Sequence, residues 1–485
     1  MRNYLSLMLT VSLTASALAY ADNEALYTNE TPITFKANSG ETTDAIDGHF
    51  FVPENRNNAS SRNIRINYVR FPATTDKKGP PIVYLAGGPG GSGIGTAKWR
   101  RFPLFEALRA HGDVIALDQR GTGASEQADY CVSDVTLDHS SIISKVQLTN
   151  SYQQAAQQCF AKWQQQGVDI YGYTTVQNAL DINDLRQHLG AEKITLWGIS
   201  YGSHLAMSAV KLFPEHIDKV IIASAEGLDQ TVKLPAQNDA YFTKVQSIIN
   251  QQPLKQQVPD LAAMMRRVHA SLDNKPVRVK PTYQDGSNND ILLQSVHLKM
   301  LASMMIADPN QYVAMLIEMY RQLDQGNTEL ITQIISRGIF KDEPIGFKLM
   351  SLAMDVASGV STQRLSLIQK QAKSAILEDY LNFPMPMLNN IDSKLDLGSE
   401  FRQKPTSDVP TLLLTGSLDG RTYPQEQSQA VSNLTNVTQI MVENAGHNLF
   451  LSSPDVLKRM QAFLSNGPVD NSPIILPVPV LAMPQ

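Results

Sequence analysis

The pentapeptide Gly198-Ile199-Ser200-Tyr201-Gly202 constrains this chain more than any other stretch of it. An apolar run, Lys193 to Trp197, leads into it as a strand. Tyr201 to Phe213 leaves it as a helix that Pro214 stops. A G-x-S-x-G turn in that setting is a strained strand-to-helix elbow that pushes a serine hydroxyl clear of the backbone. The flanking positions must be small, because larger side chains would strike the neighbouring strand and helix. The elbow also sits inside an alternating series. Ile64 to Phe71 and Pro81 to Ala86 read as strands, Phe102 to His111 as a helix, Asp113 to Leu117 as a strand, and Thr174 to Leu189 as a helix ending at Gly190. Lys219 to Ala223, Thr411 to Leu414 and Thr438 to Val442 read as further strands, and Val456 to Leu464 as a closing helix. Strands alternating with helices imply an α/β fold with a mostly parallel sheet.

A serine hydroxyl is a weak nucleophile at neutral pH and needs a base that is itself oriented by an acid. In this architecture the chain order is serine, acid, histidine. His204, His216, His269, His297 and His447 follow Ser200. His447 lies in a loop just past the strand Thr438 to Val442, at the carboxyl edge of the sheet where the serine stands. His204 is on the helix leaving the elbow, His216 precedes a strand at the opposite edge, and His269 and His297 fall between the two strand-rich parts. Asp419 follows the strand Thr411 to Leu414 and is the favoured acid. Glu226, just past Lys219 to Ala223, is its competitor. If Asp419 is the acid, Glu226 has either a substrate ammonium or a core-edge salt bridge as its partner.

The tetrahedral intermediate needs N–H donors for its oxyanion. Tyr201 supplies one by position. The other is expected from Gly88, in the loop Ala86-Gly87-Gly88-Pro89-Gly90-Gly91-Ser92-Gly93 that follows an early strand. That loop also matches G-x-G-x-x-G, and Asp118 ends the next strand as a dinucleotide site would require. Pro89 removes a donor where phosphate would be cradled, however. An oxidoreductase would also leave the serine, aspartate and histidine without a task. No cofactor and no metal are called for.

The glycine loop, the segment Asp118-Gln119-Arg120-Gly121-Thr122-Gly123-Ala124-Ser125 and the elbow at Ser200 together resemble the prolyl iminopeptidases and secreted tripeptidyl aminopeptidases. These are serine exopeptidases of the α/β-hydrolase fold. The resemblance covers Pro80 to Gly227 and Val409 to Leu464. It implies a Ser200, Asp419, His447 triad, an oxyanion hole from Gly88 and Tyr201, and a helical cap inserted before the acid strand. It also implies structural roles for Asp118 and Arg120 beside the oxyanion loop. Two departures stand out. Ala86 opens the glycine loop where many relatives have histidine, and Tyr423 is interposed in the Thr-Pro pattern after the acid.

The remaining segments organise around this core. Residues 1–21 read as a signal peptide: Arg2 precedes an apolar stretch, and Ala19-Tyr20-Ala21 supplies a cleavage pattern. The expected location is therefore secreted or periplasmic. Residues 22–228 and 399–466 form the expected hydrolase core, and 229–398 the helical cap, which carries eleven of the 17 methionines. These either line an adaptable apolar pocket or fill irregular helical packing. Residues 467–485 are proline-rich and extended, either packed along the body through Ile474, Ile475 and Leu476 or loose. With export, Cys131 and Cys159 can form a disulfide worth roughly 3.5 kcal/mol, the alternative being two buried thiols.

A net charge of −5 without blocks of like charge excludes a nucleic-acid footprint. Past the first 21 residues no apolar run is long enough for stable membrane insertion. The expected partner is a peptide or a small acyl substrate. The expected function is an exported serine hydrolase, an aminopeptidase releasing one or a few residues from a free N-terminus. An esterase or lactonase is the alternative, and a non-catalytic binding protein on the same scaffold a third reading.

Overall fold

The computed structural model describes residues 29–482; the expected signal peptide lies outside them. Fourteen strands occur among the described residues, in chain order. The first five are β1 (Glu30–Lys36), β2 (Thr42–Pro53), β3 (Asn63–Phe71), β4 (Ile82–Leu85) and β5 (Val114–Leu117). Next come β6 (Cys131–Thr136), β7 (Ile194–Ile199), β8 (Ile217–Ala223), β9 (Val277–Val279) and β10 (Ile291–Leu293). The chain ends with β11 (Pro344–Phe347), β12 (Thr411–Gly416), β13 (Val437–Glu443) and β14 (Ile474–Ile475).

Ten of these form one sheet in the order β1-β2-β3-β5-β4-β7-β8-β12-β13-β14. From β5 onward every pairing is parallel, whereas β1, β2 and β3 join antiparallel at one edge. The sequence divides along the same line. Strands β4, β5, β7 and β12 are buried at every residue, as parallel strands covered on both faces must be. Strand β2 alternates buried with more exposed positions near its end, as an antiparallel strand with one wet face does.

Helices cover both faces. Tyr201–Leu212 and Thr175–His188 pack on one, with Leu205, Ala209, Ile182 and Leu185 in a core shared with Val83, Leu196 and Ile222. Phe102–Leu108 and Pro454–Leu464 pack on the other, around Tyr84, Trp197, Ile221 and Leu414. Pro103 stands at the start of the first of these and Pro454 opens the second, where a missing N–H costs nothing.

Between β8 and β12 the chain leaves the sheet. This stretch is mostly helical, with a small β9–β10 hairpin and β11, which pairs with β6 from the core half of the sequence. It holds a core of its own, built on Tyr241, Met265, Leu298, Leu316 and Tyr320. Met264, Met265, Met305 and Met319 belong to that packing. Met300 and Met304 instead line a cavity of about 420 Å³.

The proline-rich tail is pinned at two points. Ile474 and Ile475 pair with Val442 and Glu443. Further on, Gln252 exchanges hydrogen bonds with the Leu481 N–H and the Pro479 carbonyl, while Leu481 is buried in the helical core. Cys131 and Cys159 are joined in a disulfide. It ties β6 to the helix Lys145–Gln165 in a cluster with Phe160 and Trp163. Replacing both cysteines by alanine is expected to cost about 2–4 kcal/mol, read as a lowered urea midpoint with a slope that stays equal or rises as the unfolded chain expands.

Candidate active site

Ser200 sits at φ 55°, ψ −127°, between β7 and the helix Tyr201–Leu212. That conformation is rare for a residue with a side chain and marks stored strain. Close approach imposes both glycines of the pentapeptide. A Cβ on Gly202 would lie 2.1 Å from the Leu85 carbonyl oxygen, and one on Gly198 2.5 Å from that of Gly202. Gly202→Ala is therefore expected to cost about 1–3 kcal/mol, measured as a fall in Tm. Neighbouring strand and helix leave room for nothing larger, as the sequence implies.

His447 follows β13, and Asp419 follows β12. The His447 Nδ1 is 3.0 and 3.1 Å from the two Asp419 carboxylate oxygens. Asp419 is buried and saturated with donors. Its Oδ1 accepts from the backbone N–H groups of Arg421 and Thr422, at 2.8 and 2.9 Å. Its Oδ2 accepts from the Thr422 hydroxyl at 2.7 Å and from Gln427 Nε2 at 3.2 Å. Burial alone would raise the Asp419 pKa, but His447 and the Thr422 bonds outweigh it and hold the carboxyl below its ordinary value. The Ser224 hydroxyl donates to the His447 carbonyl at 2.7 Å, and the His447 N–H donates to the Ala307 carbonyl at 2.9 Å. The loop is thus fixed from the sheet and from the helical segment. Sequence reasoning missed Ser224, Thr422 and Gln427. Only their nearness to strand ends and to Asp419 could have signalled them.

Ser200 and His447 share the wall of one cavity of about 910 Å³. Gly87 and Gly88 line it too, and a Cβ on Gly87 would lie 3.2 Å from the Ser200 Cβ. Gly88 has φ +127°. Tyr201 is the first residue of its helix, so its N–H has no acceptor within the helix. Its buried hydroxyl is engaged with Met354 and Thr175, and Tyr201 is not among the residues of that wall.

Asp118 holds the glycine loop in place. It accepts from the Ser92 hydroxyl at 2.6 Å, the Ile94 N–H at 3.0 Å and the Ala124 N–H at 2.7 Å. Gln119 adds a bond to the Ala86 carbonyl at 2.9 Å. Arg120 acts further off, paired through Nε and Nη2 with Asp181 at 2.6 Å and donating from Nη1 to the Glu54 carbonyl. The loop is braced by Asp118 and Gln119 rather than by Arg120.

Glu226 is buried, with its carboxylate 2.8 Å from Lys233 Nζ. It is not part of the wall that Ser200 and His447 share. That ion pair is a salt bridge of the kind expected for Glu226 as one of two alternatives. Desolvation and the nearby Glu226 push the Asp355 carboxyl up to about 7, against the pull of Lys233 and Arg421. The other histidines after Ser200 are held elsewhere. His204 is buried between the Gly227 carbonyl and the Ser358 hydroxyl. His269 meets the Tyr320 hydroxyl at 2.8 Å, His297 meets His139 at 3.2 Å, and His216 stands at the start of β8.

The chain shares 29% identity over 189 residues with the serine protease Hip1 of Mycobacterium tuberculosis, covering 37% of this chain and 36% of that protein. It shares 26% over 196 residues with the tripeptidyl aminopeptidase of Streptomyces lividans, covering 36% and 34%. The matched region thus spans about a third of these curated relatives. A solved proline iminopeptidase-related protein from Thermus thermophilus aligns over 86% of this chain and 97% of its own, at 16% identity and a TM-score of 0.38. The family model described as alpha/beta hydrolase fold matches residues 80–454. With its sheet order, its elbow and that match, this chain belongs to the α/β-hydrolase fold family.

Proposed function

We propose that this protein is an exported serine hydrolase that acts as an aminopeptidase through a Ser200, His447, Asp419 triad. The observation that carries the reading is the shared cavity. It holds an elbow serine and a histidine whose Nδ1 is 3.0 Å from a buried aspartate. His447 takes the Ser200 proton as Oγ attacks the carbonyl, and Asp419 fixes the imidazole so that Nε2 does this work. The Gly88 and Tyr201 N–H groups receive the oxyanion. His447 returns the proton to the departing group, and water then releases the acyl-enzyme. The named relatives, a serine protease and a tripeptidyl aminopeptidase, support peptide over other acyl substrates.

Residues 229–398 serve in this reading as a cap over the carboxyl edge of the sheet. Export is supported by the disulfide, which persists in oxidising compartments. Among the described residues no helix is long and apolar enough to cross a membrane.

An aminopeptidase must also hold an ammonium. Glu226 is one candidate, although Lys233 already neutralises it. Asp308 is the carboxylate that the cavity wall itself offers. The engagement of Glu226 favours one second reading, an esterase or lactonase that needs no ammonium site. A panel of aminoacyl and tripeptidyl amides beside short nitrophenyl esters separates the two. Amide turnover that disappears on acetylating the substrate N-terminus supports the aminopeptidase. Ester turnover alone supports the alternative.

A further inference from the structure

The charge of the catalytic cavity is opposite to that of the chain. The chain carries 41 Lys and Arg against 46 Asp and Glu. Yet the cavity wall presents Arg100, Arg101 and Arg421 against Asp308 as its only carboxylate among the described residues. Asp308 is further occupied, accepting from the Asn448 N–H at 3.1 Å and from Asn448 Nδ2 at 2.7 Å.

The arginines are not equivalent. Arg421 donates to the Ser303 carbonyl at 3.1 Å, on the side of the helical segment. Arg101 is held over the rings of Tyr84 and Phe450, at 5.6 and 5.5 Å, and hydrogen-bonds the Tyr84 hydroxyl. Its Nη2 reaches Asn448 Oδ1 at 3.3 Å, one residue from the histidine that would protonate a leaving group. Beside it Arg100 is exposed and has no ion-pair partner among the described residues, and Trp99 is 58% exposed. A pre-oriented guanidinium, a second free one and an open aromatic ring together make a shelf suited to a carboxylate.

We infer that Arg100 and Arg101 form a leaving-group subsite that selects substrates bearing a carboxylate just past the scissile bond. The inference rests on the Ser200–His447 reading of the cavity, but it holds for amide and ester substrates alike. The carboxylate comes from one of two sources, an acidic side chain on the departing residue or the C-terminus of a departing single residue.

The test compares kcat/KM for substrates with one acyl part and four leaving residues: glutamine amide, glutamate amide, glutamine free acid and lysine amide. The glutamate amide or the free acid is expected to exceed glutamine amide by about tenfold at low salt, with lysine amide the poorest. A gain confined to one of the two assigns the source. The gain is expected to shrink as ionic strength rises from about 0.05 M to about 0.5 M, because the arginines are partly open to solvent.

Arg100→Gln and Arg101→Gln should each cut the ratio severalfold, while Lys98→Gln, which removes an equal charge outside the wall, keeps it within about twofold. Aryl esters with and without a ring carboxylate on the leaving phenol give the same readout, and the wild-type to Arg100→Gln ratio cancels intrinsic reactivity. A chain that turns over esters but no amides refutes the aminopeptidase reading and still tests the subsite. Equal rates across charged and neutral leaving groups, or a ratio untouched by both arginine substitutions, overturn the inference.

Discussion

Ser200→Ala is expected to lower kcat by about 10⁶-fold while leaving the protein folded. Loss of Oγ removes the only atom that the proposed mechanism uses to attack the carbonyl, so what survives is catalysis by the oxyanion donors and by binding alone. The fold should tolerate the change, since the Ser200 side chain makes no capping bond to the helix it precedes. Alanine keeps the Cβ that the φ 55° conformation already accommodates. Steady-state rates on whichever substrate of the panel is turned over, together with a thermal melt, check both halves. A rate within tenfold of the wild type at normal Tm would remove Ser200 from the chemistry.

Asp419→Asn is expected to lower kcat by about 10⁴-fold. Both carboxylate oxygens are surrounded by donors: the Arg421 and Thr422 N–H groups at Oδ1, the Thr422 hydroxyl and Gln427 Nε2 at Oδ2, and His447 Nδ1 at both. An amide in either orientation turns an N–H toward a donor. It must therefore leave buried groups unpaired or press His447 into the wrong tautomer. The same crowding makes the change costly in stability, by about 1–3 kcal/mol, so rates should be compared well below the variant's Tm. The pH dependence has a definite sign. The Asp419 carboxyl is held below its ordinary value, so its contribution to stability is complete above the unfolded-state pKa. That contribution is lost as pH falls through the folded one. The Asp419→Asn variant should lack that part of the wild type's acid sensitivity.

The legible parts of this protein are those in which function and backbone geometry demand the same residues. Gly198 and Gly202 are required by contacts of 2.5 and 2.1 Å, so the elbow announces itself in sequence. Asp419 and His447 stand at the ends of short apolar strands, and their chain order is enough to propose them as acid and base without any knowledge of the sheet. The central parallel strands are likewise plain, being buried throughout. The antiparallel strands β1 and β2 were harder, because a strand with a wet face is diluted with polar residues. The 21-residue helix Lys145–Gln165 hides for a similar reason. Its exposed face is rich in glutamine, and its buried stripe rests on residues as small as Ala155, Ala156 and Cys159. Pairing of β6 with β11 joins segments about two hundred residues apart, a partnership that no local pattern encodes. The partner of Glu226 is open in the sequence for a comparable reason. A carboxylate at a strand end serves a ligand or a lysine equally well until the fold brings Lys233 to it.

The substrate remains the part furthest from sequence, since the cavity wall is drawn from six separate stretches of the chain: Tyr84–Arg101, Ile199–Ser200, Ala307–Gln311, Arg421, Ala445–Ser452 and Leu476. Three arginines converge there only in the folded protein. The proposed leaving-group subsite is accordingly a matter of tertiary structure, whereas the proposed triad is nearly a matter of order along the chain.

The most direct measurement of the central claim is reaction of the folded protein with a fluorophosphonate, followed by peptide mapping. The expected result is stoichiometric modification of the peptide that carries Ser200, at Oγ. It should be abolished in Ser200→Ala and strongly slowed in Asp419→Asn. Absence of labelling in the folded wild-type chain, or labelling at another serine that persists in Ser200→Ala, would contradict it.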